Sequence, residues 1–503
     1  MDEAVIRQVV IVGGGTAGWM TAALLAKAMG DRVAIRLIES SEIGIVGVGE
    51  ATIPQIRHVG RFLGVDEDEI LRESFGTIKL AVQFNDWWRL GHSYFHAFSD
   101  IGLPLGLVAF QHYWLRSRRR DPSAPDLWAY SVDAMAAAQN RFSRLENLGS
   151  SPLTGVRYAY HFDAARFGQL LRRQAEKHGA RRTEGKVVGV ELGADHGFIE
   201  SVRLASGEVV SGDLFIDCSG FRGLLIEEAL KTGYDSWQHW LPCDRAVVVA
   251  SEHGERVRPY TQASAQAAGW QWRIPLQHLA SNGHVYCSRH VSDDEATATL
   301  LSGLEGKRLG DVRQLRFHTG IRKQVWNRNC VSLGLASGFI EPLESTSIHL
   351  MQSAVSRLLT MFPDRHCDPA LVAEFNRQTR AEYEQTRDFI AFHYQANERG
   401  DTAFWRDCAA MALPDGLVER IELFRQSGHV FRQGEELFTE VGWLQVLIGQ
   451  GVVPRRYHPL ADALPAAELE AFLADIRTLV QRAVASMPEH VRYVAEHFKA
   501  VVA

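Results

Sequence analysis

Four apolar residues, Val9-Val10-Ile11-Val12, stand near the start of the chain between polar and glycine residues, the pattern of a short strand buried on both faces. Residues 19–27 follow with Met20, Ala23, Leu24 and Lys27 at helical spacing, and a second apolar run, Val33-Ala34-Ile35-Arg36-Leu37-Ile38, comes next. Strand, helix and strand in this order predict a parallel βαβ unit. Residues 77–84 alternate strictly, with Ile78, Leu80, Val82 and Phe84 on one face and Thr77, Lys79, Ala81 and Gln83 on the other. Alternation around Gly193, Gly197 and Gly207 predicts hairpins over 187–210, and Leu214-Phe215-Ile216-Asp217-Cys218-Ser219-Gly220 reads as another buried strand entering a turn. From about residue 350 helical spacing takes over, as in 371–397 and 467–484. The expected organisation is an α/β domain over 1–350 with long insertions, followed by a mainly helical cap over 351–503, packed on the first part.

The loop after the first strand is Gly13-Gly14-Gly15-Thr16-Ala17-Gly18, a G-x-G-x-x-G string. Small residues let the backbone approach a pyrophosphate, and the following helix aims its N-terminal amides at it. Glu39 ends the second strand 21 residues after Gly18, placed to bind a ribose hydroxyl and to disfavour a 2′-phosphate. Strand, glycines, helix, strand and acid in sequence identify a dinucleotide site of Rossmann type. A glycine-rich turn without a ligand is the weaker reading.

Composition narrows the class. With 503 residues, 46% hydrophobic and 23% charged, the chain can bury a large core. Its net charge is −6, and the one dense basic run, Arg116 to Arg120 broken by Ser117, reads as a solvated patch, which argues against nucleic acid as a partner. No apolar stretch reaches the length of a membrane span, and the first strand begins too early for a signal peptide. Six scattered cysteines without a C-x-x-C pair read as reduced thiols of a cytoplasmic protein, with neither a metal site nor a disulfide frame.

The most specific string is Trp270-Gln271-Trp272-Arg273-Ile274-Pro275. On a strand its two indoles point the same way, which by itself is compatible with simple core packing. The string nevertheless resembles the signature of flavin-dependent halogenases of the tryptophan-halogenase family, and further segments resemble that family in order from about residue 5 to 460. Gly76-Thr77-Ile78-Lys79 is similar to the segment carrying the family's active-site lysine. Pattern alone would make Lys79 an exposed strand lysine; the resemblance makes it the group that meets hypohalous acid, by hydrogen bonding or as a haloamine. Gly338-Phe339-Ile340-Glu341-Pro342-Leu343-Glu344-Ser345-Thr346-Ser347-Ile348 resembles the block whose Glu-Ser pair faces the substrate and whose next two residues hold halide. Here Ser345 or Thr346 is a natural N-cap for a helix with the stripe Ile348, Met351, Val355, Leu358 and Leu359, so the amides of Thr346 and Ser347 lie at a positive helix end. Ser347 stands where relatives often have Gly, which reshapes the halide position.

The resemblance implies a FAD monooxygenase-like α/β fold with FAD, used as FADH2, and bromide or chloride as cofactors. It assigns the catalytic roles to Lys79 and Glu344, with Glu341 as a decoy. Val46-Gly47-Val48-Gly49-Glu50-Ala51-Thr52-Ile53-Pro54, by itself only a mobile glycine-rich turn, looks like the strap over the flavin, giving Gly49, Glu50 and Ala51. Gly13, Gly15, Thr16, Ala17, Gly18, Glu39, Val187, Asp217, Leu335 and Ile348 complete the flavin side. His96 and Phe98 resemble a His-Pro-Phe of the substrate pocket with Ala97 in place of Pro, although a lone His among aromatics is more often core. Trp270, Trp272, Ile274, Pro275, Ser345 and Trp443 are expected along the tunnel and substrate side. The partners implied are a small aromatic substrate and a separate NAD(P)H-dependent flavin reductase; a homodimer is left open. Trp443-Leu444 replaces adjacent tyrosines with which tryptophan halogenases hold the amino acid zwitterion, so indole or a similar ring, or a larger indole reaching through an open pocket, is the expected substrate. An aromatic hydroxylase on the same scaffold and a non-catalytic flavin binder are the alternatives.

Overall fold

The computed structural model describes residues 4–42, 49–149 and 151–500. The chain divides into two compact units. The first comprises Met1–Gly76, Phe162–Asp244 and Arg316–Glu384, the second Thr77–His161, Arg245–Leu315 and Gln385–Ala503.

In the first unit a six-stranded sheet runs in the order Trp326–Asn327, Cys330–Ser332, Leu214–Asp217, Gln8–Val12, Ala34–Glu39 and Arg181–Glu184. All its pairings are parallel except the one made by the Trp326–Asn327 edge. Val12 lies between Ile38 and Asp217, so the glycine loop, Glu39 and the 217–220 turn leave the sheet at the same end. Parallel strands covered on both faces need continuous apolar runs, and Val10, Ile38 and Phe215 are accordingly fully buried in one cluster with Val187 and Leu225. Helix Thr16–Met29 packs on helix Ala164–Lys177. The expected hairpins are three antiparallel strands, Val187–Leu192, Ile199–Leu204 and Val209–Ser211.

The second unit is built on a seven-stranded sheet ordered Arg308–Arg316, Arg245–Ser251, Ala280–Tyr286, Gly269–Pro275, Tyr260–Gln266, Ala81–Asn85 and Ser93–Ala97. Its helices include Asp415–Ser427, Glu440–Gly449 and Ala466–Ala485. The expected helices over 371–397 and 467–484 are Pro369–Gln395 and Ala466–Ala485.

The compact units do not follow the linear boundary expected at 350. That boundary marks where strands give way to helices. The units are decided by pairing between distant segments, such as Tyr260 with Ala81 and the amide of Gln445 with the backbone of Ala97. Residues 77–161 and 245–315 therefore group with the helical end of the chain.

Candidate active site

The glycines of the first unit do different work. An added Cβ on Gly13, which has φ +117°, would come 2.2 Å from the Cys218 carbonyl oxygen, and one on Gly18 would come 1.8 Å from the Gly13 oxygen. Both are needed for strand, turn and helix to meet. Gly15 differs: no described atom lies within 4 Å of its added Cβ. It is the N-cap of helix Thr16–Met29 and no side chain caps that end, so open ground faces uncapped amides, the arrangement a pyrophosphate requires. Leu335 lies half-buried in the turn Gly334–Ala336, where an added Cβ on Gly334 would reach Ala17.

Glu39 does end the second strand, and Gly14 leaves room for it, because an added Cβ there would overlap its carboxylate. That carboxylate accepts from Trp19 Nε1 at 3.2 Å and from Arg182 Nε. Arg182, unanticipated from sequence, thus orients the acid expected at the ribose. Asp217 is fully buried and committed locally. Its Oδ1 accepts from Ser219 N and Oγ (2.9 and 2.6 Å), and Oδ2 accepts from Leu225 N and Ile226 N (2.7 and 2.8 Å). Its side chain shapes the turn beneath the glycine loop. Gly49, Glu50 and Ala51 form a short strand; burial raises the Glu50 carboxyl to about 7, while Val46 to Val48 of the expected strap lie outside the described residues.

Glu344 is buried at the end of a 3-10 turn, Pro342–Glu344, that starts right after buried Glu341. Ser345 follows at φ +61°, a left-handed conformation that is strained for a non-glycine residue. Helix Ser347–Thr360 then begins, with Ile348 buried in its first turn. The expected hydroxyl cap does not form. Thr346 occupies the N-cap position but is already helical (φ −88°, ψ −14°), whereas a capping side chain needs an extended backbone to reach forward over the amides. Its Oγ1 is buried without a hydrogen-bond partner. A neutral donor at a positive helix end suits an anion. The helix is anchored by Glu382, which binds Arg357 Nη2 (2.9 Å) and His349 Nε2 (3.2 Å).

In the second unit Lys79 is fully buried, which removes the exposed-strand alternative. It ends strand Thr77–Lys79, paired with the 159–161 segment in the register Thr77–His161 and Lys79–Ala159. Its Nζ sits 5.2 Å from the centre of the Phe98 ring, a cation–π contact. Beside it runs a hydrogen-bond chain with a determined direction. Thr77 Oγ1 donates to the Pro275 carbonyl at 2.6 Å, so it accepts from His161 Nδ1 at 2.9 Å. His161 Nε2 then accepts from Thr261 Oγ1 at 2.9 Å. Burial and the Lys79 charge hold His161 well below its ordinary range, so it is neutral and Nε2 is the acceptor in that contact. His490, held down to about 4 by burial, accepts from the Ile78 amide at 3.3 Å. Neither histidine was foreseen, because each is an isolated polar residue whose role exists only through distant partners.

The chain of hydroxyls ties the lysine strand to the last residue of the tryptophan string. In strand Gly269–Pro275, Trp270, Trp272 and Ile274 are buried on one face. Trp270 packs near Trp87 (ring centres 6.4 Å apart) in an aromatic core. Trp272 fills the space that Gly283 leaves, and its Nε1 is buried without a hydrogen-bond partner. Buried His96 lies 5.5 Å from the Phe389 ring and 6.0 Å from that of Phe438. Phe389 stacks on Phe438 at 3.7 Å and meets the edge of Trp443 at 4.7 Å. Behind Trp443, Arg420 lies 4.4 Å from the ring and is paired with buried Glu436 (Nη1 to Oε2, 2.9 Å).

The family model for tryptophan halogenases matches residues 8–466. A tryptophan 6-halogenase from Streptomyces toxytricini is 37% identical, over 97% of this chain and 98% of that enzyme. Among solved structures, a flavin-dependent halogenase from Xanthomonas campestris is 45% identical and superposes with a TM-score of 0.96 over 99% of this chain and 100% of its own. One from Brevundimonas sp. BAL3 is 43% identical, with a TM-score of 0.94 over 98% and 99% of the two chains. An FADH2-dependent halogenase is thus the class of enzyme that sequence and fold agree on. The chain belongs to the tryptophan halogenase family.

Proposed function

We propose that the enzyme halogenates a small, uncharged, electron-rich arene such as indole, and that it uses bromide faster than chloride. The carrying observation is Lys79, fully buried against Phe98 and anchored through its strand to Pro275. FAD fits the first unit on two structural grounds, the open ground at Gly15 and the uncapped helix end beside it. Gly13 to Gly18 would hold its pyrophosphate, with Glu39 at the ribose, Gly49 to Ala51, Leu335 and Ile348 near its ring, and Val187 and Asp217 supporting from beneath. Reduced FAD, when bound, activates oxygen so that halide becomes hypohalous acid.

The remaining chemistry falls to protein side chains. The Thr346 and Ser347 amides, with the unpartnered Thr346 hydroxyl, hold the halide; bromide is less strongly hydrated than chloride and easier to desolvate there. Trp270, Trp272, Ile274 and Pro275 line the substrate side within the second unit, on the strand tied to the Lys79 strand through Thr77. Lys79 holds hypohalous acid through its compact ammonium, a donor set of three. Ring attack on the halogen breaks its bond to oxygen; the departing hydroxide takes a proton from the Lys79 ammonium and leaves as water, and the ring becomes a cationic intermediate. A Glu344 carboxylate at about 4 Å attracts it by on the order of 4 kcal/mol at an effective dielectric near 20, and then accepts its proton.

Two features support an uncharged substrate. Trp443, Phe389, Phe438 and His96 form an aromatic cluster, and the nearby Arg420 is already neutralised by Glu436. A buried zwitterion left unpaired would cost several kcal/mol per ion. A separate NAD(P)H-dependent reductase would supply FADH2, and six buried free cysteines fit a reducing, cytoplasmic setting. The test compares kcat/KM for indole and tryptophan, each with bromide and chloride in equal concentration. Indole and bromide should be preferred; a tenfold preference for tryptophan or a chlorinated majority overturns the corresponding part.

A further inference from the structure

The tryptophan string has a second face. Gln271 and Arg273 alternate with the buried indoles and point to the other side of the sheet, where Arg273 lies opposite Gln262. There a cleft of about 10 Å³, the room of one water-sized group, is lined among others by His253, Arg256, Arg258, Arg273 and Glu305. All of these belong to the second unit.

The charges do not balance. Glu305 is shared between Arg258 Nη1, at 2.9 Å, and Arg273 Nη1, and Arg273 Nε donates to Asn282 Oδ1 at 3.2 Å. Three guanidinium groups thus face one carboxylate. Arg273 Nη2 is buried with no hydrogen-bond partner, as is His253 Nε2. A buried guanidinium N–H without an acceptor is costly, and this cleft supplies none from the protein. Burial, and then repulsion from Arg258, pulls the Arg273 guanidinium down to about 10, which marks the same shortage of negative charge. A water molecule would satisfy the donor but not the charge.

We propose that this cleft binds a small monovalent anion, a halide or the tip of a carboxylate, against Arg273 Nη2 with Arg256 at its mouth. It uses none of the residues assigned to halide beside the flavin, so it does not depend on that assignment. Its consequence is an anion-dependent stiffening of the strand that carries the tryptophan string and ends at Pro275.

The test uses the full-length enzyme with bromide as the probe. Crystals soaked in sodium bromide should show an anomalous peak within hydrogen-bonding distance of Arg273 Nη2, and the peak should vanish in Arg273→Met. Because Arg273→Met can fail to fold, Arg256→Gln, an exposed change, is titrated in parallel by thermal shift at constant ionic strength. Bromide affinity should weaken about threefold, the effect of losing one partly exposed charge. Competition by acetate identifies a carboxylate source, and absence of competition a halide. No peak at the cleft, a peak unchanged in both variants (an adventitious ion only), or identical titrations for wild type and Arg256→Gln overturns the proposal.

Discussion

Replacing Thr77 by Val keeps the shape of a fully buried side chain and deletes one hydroxyl. That hydroxyl closes a chain: it accepts from His161 Nδ1 at 2.9 Å and donates to the Pro275 carbonyl at 2.6 Å. In the valine variant an imidazole N–H and a carbonyl are both left without partners, and with Thr77 and His161 fully buried water has no access to repair them. Each stranded group costs about 1–3 kcal/mol, so the loss should be roughly 2–6 kcal/mol, a large share of the ~5–15 kcal/mol typical of a folded domain. Thr77→Ser keeps the hydroxyl and loses only a methyl, which should cost about 1 kcal/mol. Urea unfolding followed by tryptophan fluorescence measures both. The strand also carries Lys79, so arene halogenation by Thr77→Val should fall further than hypohalous acid release, measured with a diffusible trap. A Thr77→Val protein within about 0.5 kcal/mol of wild type, the range of an indifferent surface change, would refute the hydrogen-bond chain.

Three other outcomes follow from the same geometry. Glu344→Gln should leave flavin reoxidation almost unchanged while ring halogenation drops by about 100-fold or more and free hypohalous acid escapes; a collapse of reoxidation would move Glu344 to the cofactor side. His490 has its pKa lowered from 6.5 to about 4 in the folded protein, so the unfolded chain binds more protons between those values. Its contribution is therefore lost as pH falls from 6.5 toward 4, by about 3 kcal/mol, with His161 acting in the same direction. His490→Asn should flatten that slope in unfolding curves taken across the window, and an unchanged slope would show that His490 is not its source. Glu436→Gln strands the buried Arg420 charge behind Trp443 and should cost about 3–5 kcal/mol; a wild-type denaturation midpoint would show that the pair is solvated.

The sequence made the first unit legible because its signals are local. Val9 to Val12, the glycines, the following helix and Glu39 lie within a single stretch of chain, and each obeys a periodicity or a steric rule. Lys79 was not legible from pattern, since strict alternation put it on the outer face of a strand. It is buried because strand Thr77–Lys79 pairs with residues 159–161, a contact 80 residues away in the chain. The missed residues share that cause: His161, His490, Arg182 and the Arg420–Glu436 pair acquire meaning only from distant partners. The hydroxyl cap expected at Ser345 or Thr346 failed for a local reason, the left-handed turn at Ser345, which starts the helix before a side chain can reach its amides.

The central claim is that this halogenase delivers its electrophile through Lys79. Purified enzyme with FAD, a flavin reductase, NADH, bromide and indole should give a product whose mass shows bromine in place of hydrogen. Lys79→Ala should still bind and oxidise reduced FAD but yield that product at a rate lower by about 100- to 10,000-fold, the loss of a removed proton-handling group. Brominated indole formed by Lys79→Ala at near the wild-type rate would contradict the claim, as would a wild-type product carrying oxygen in place of bromine.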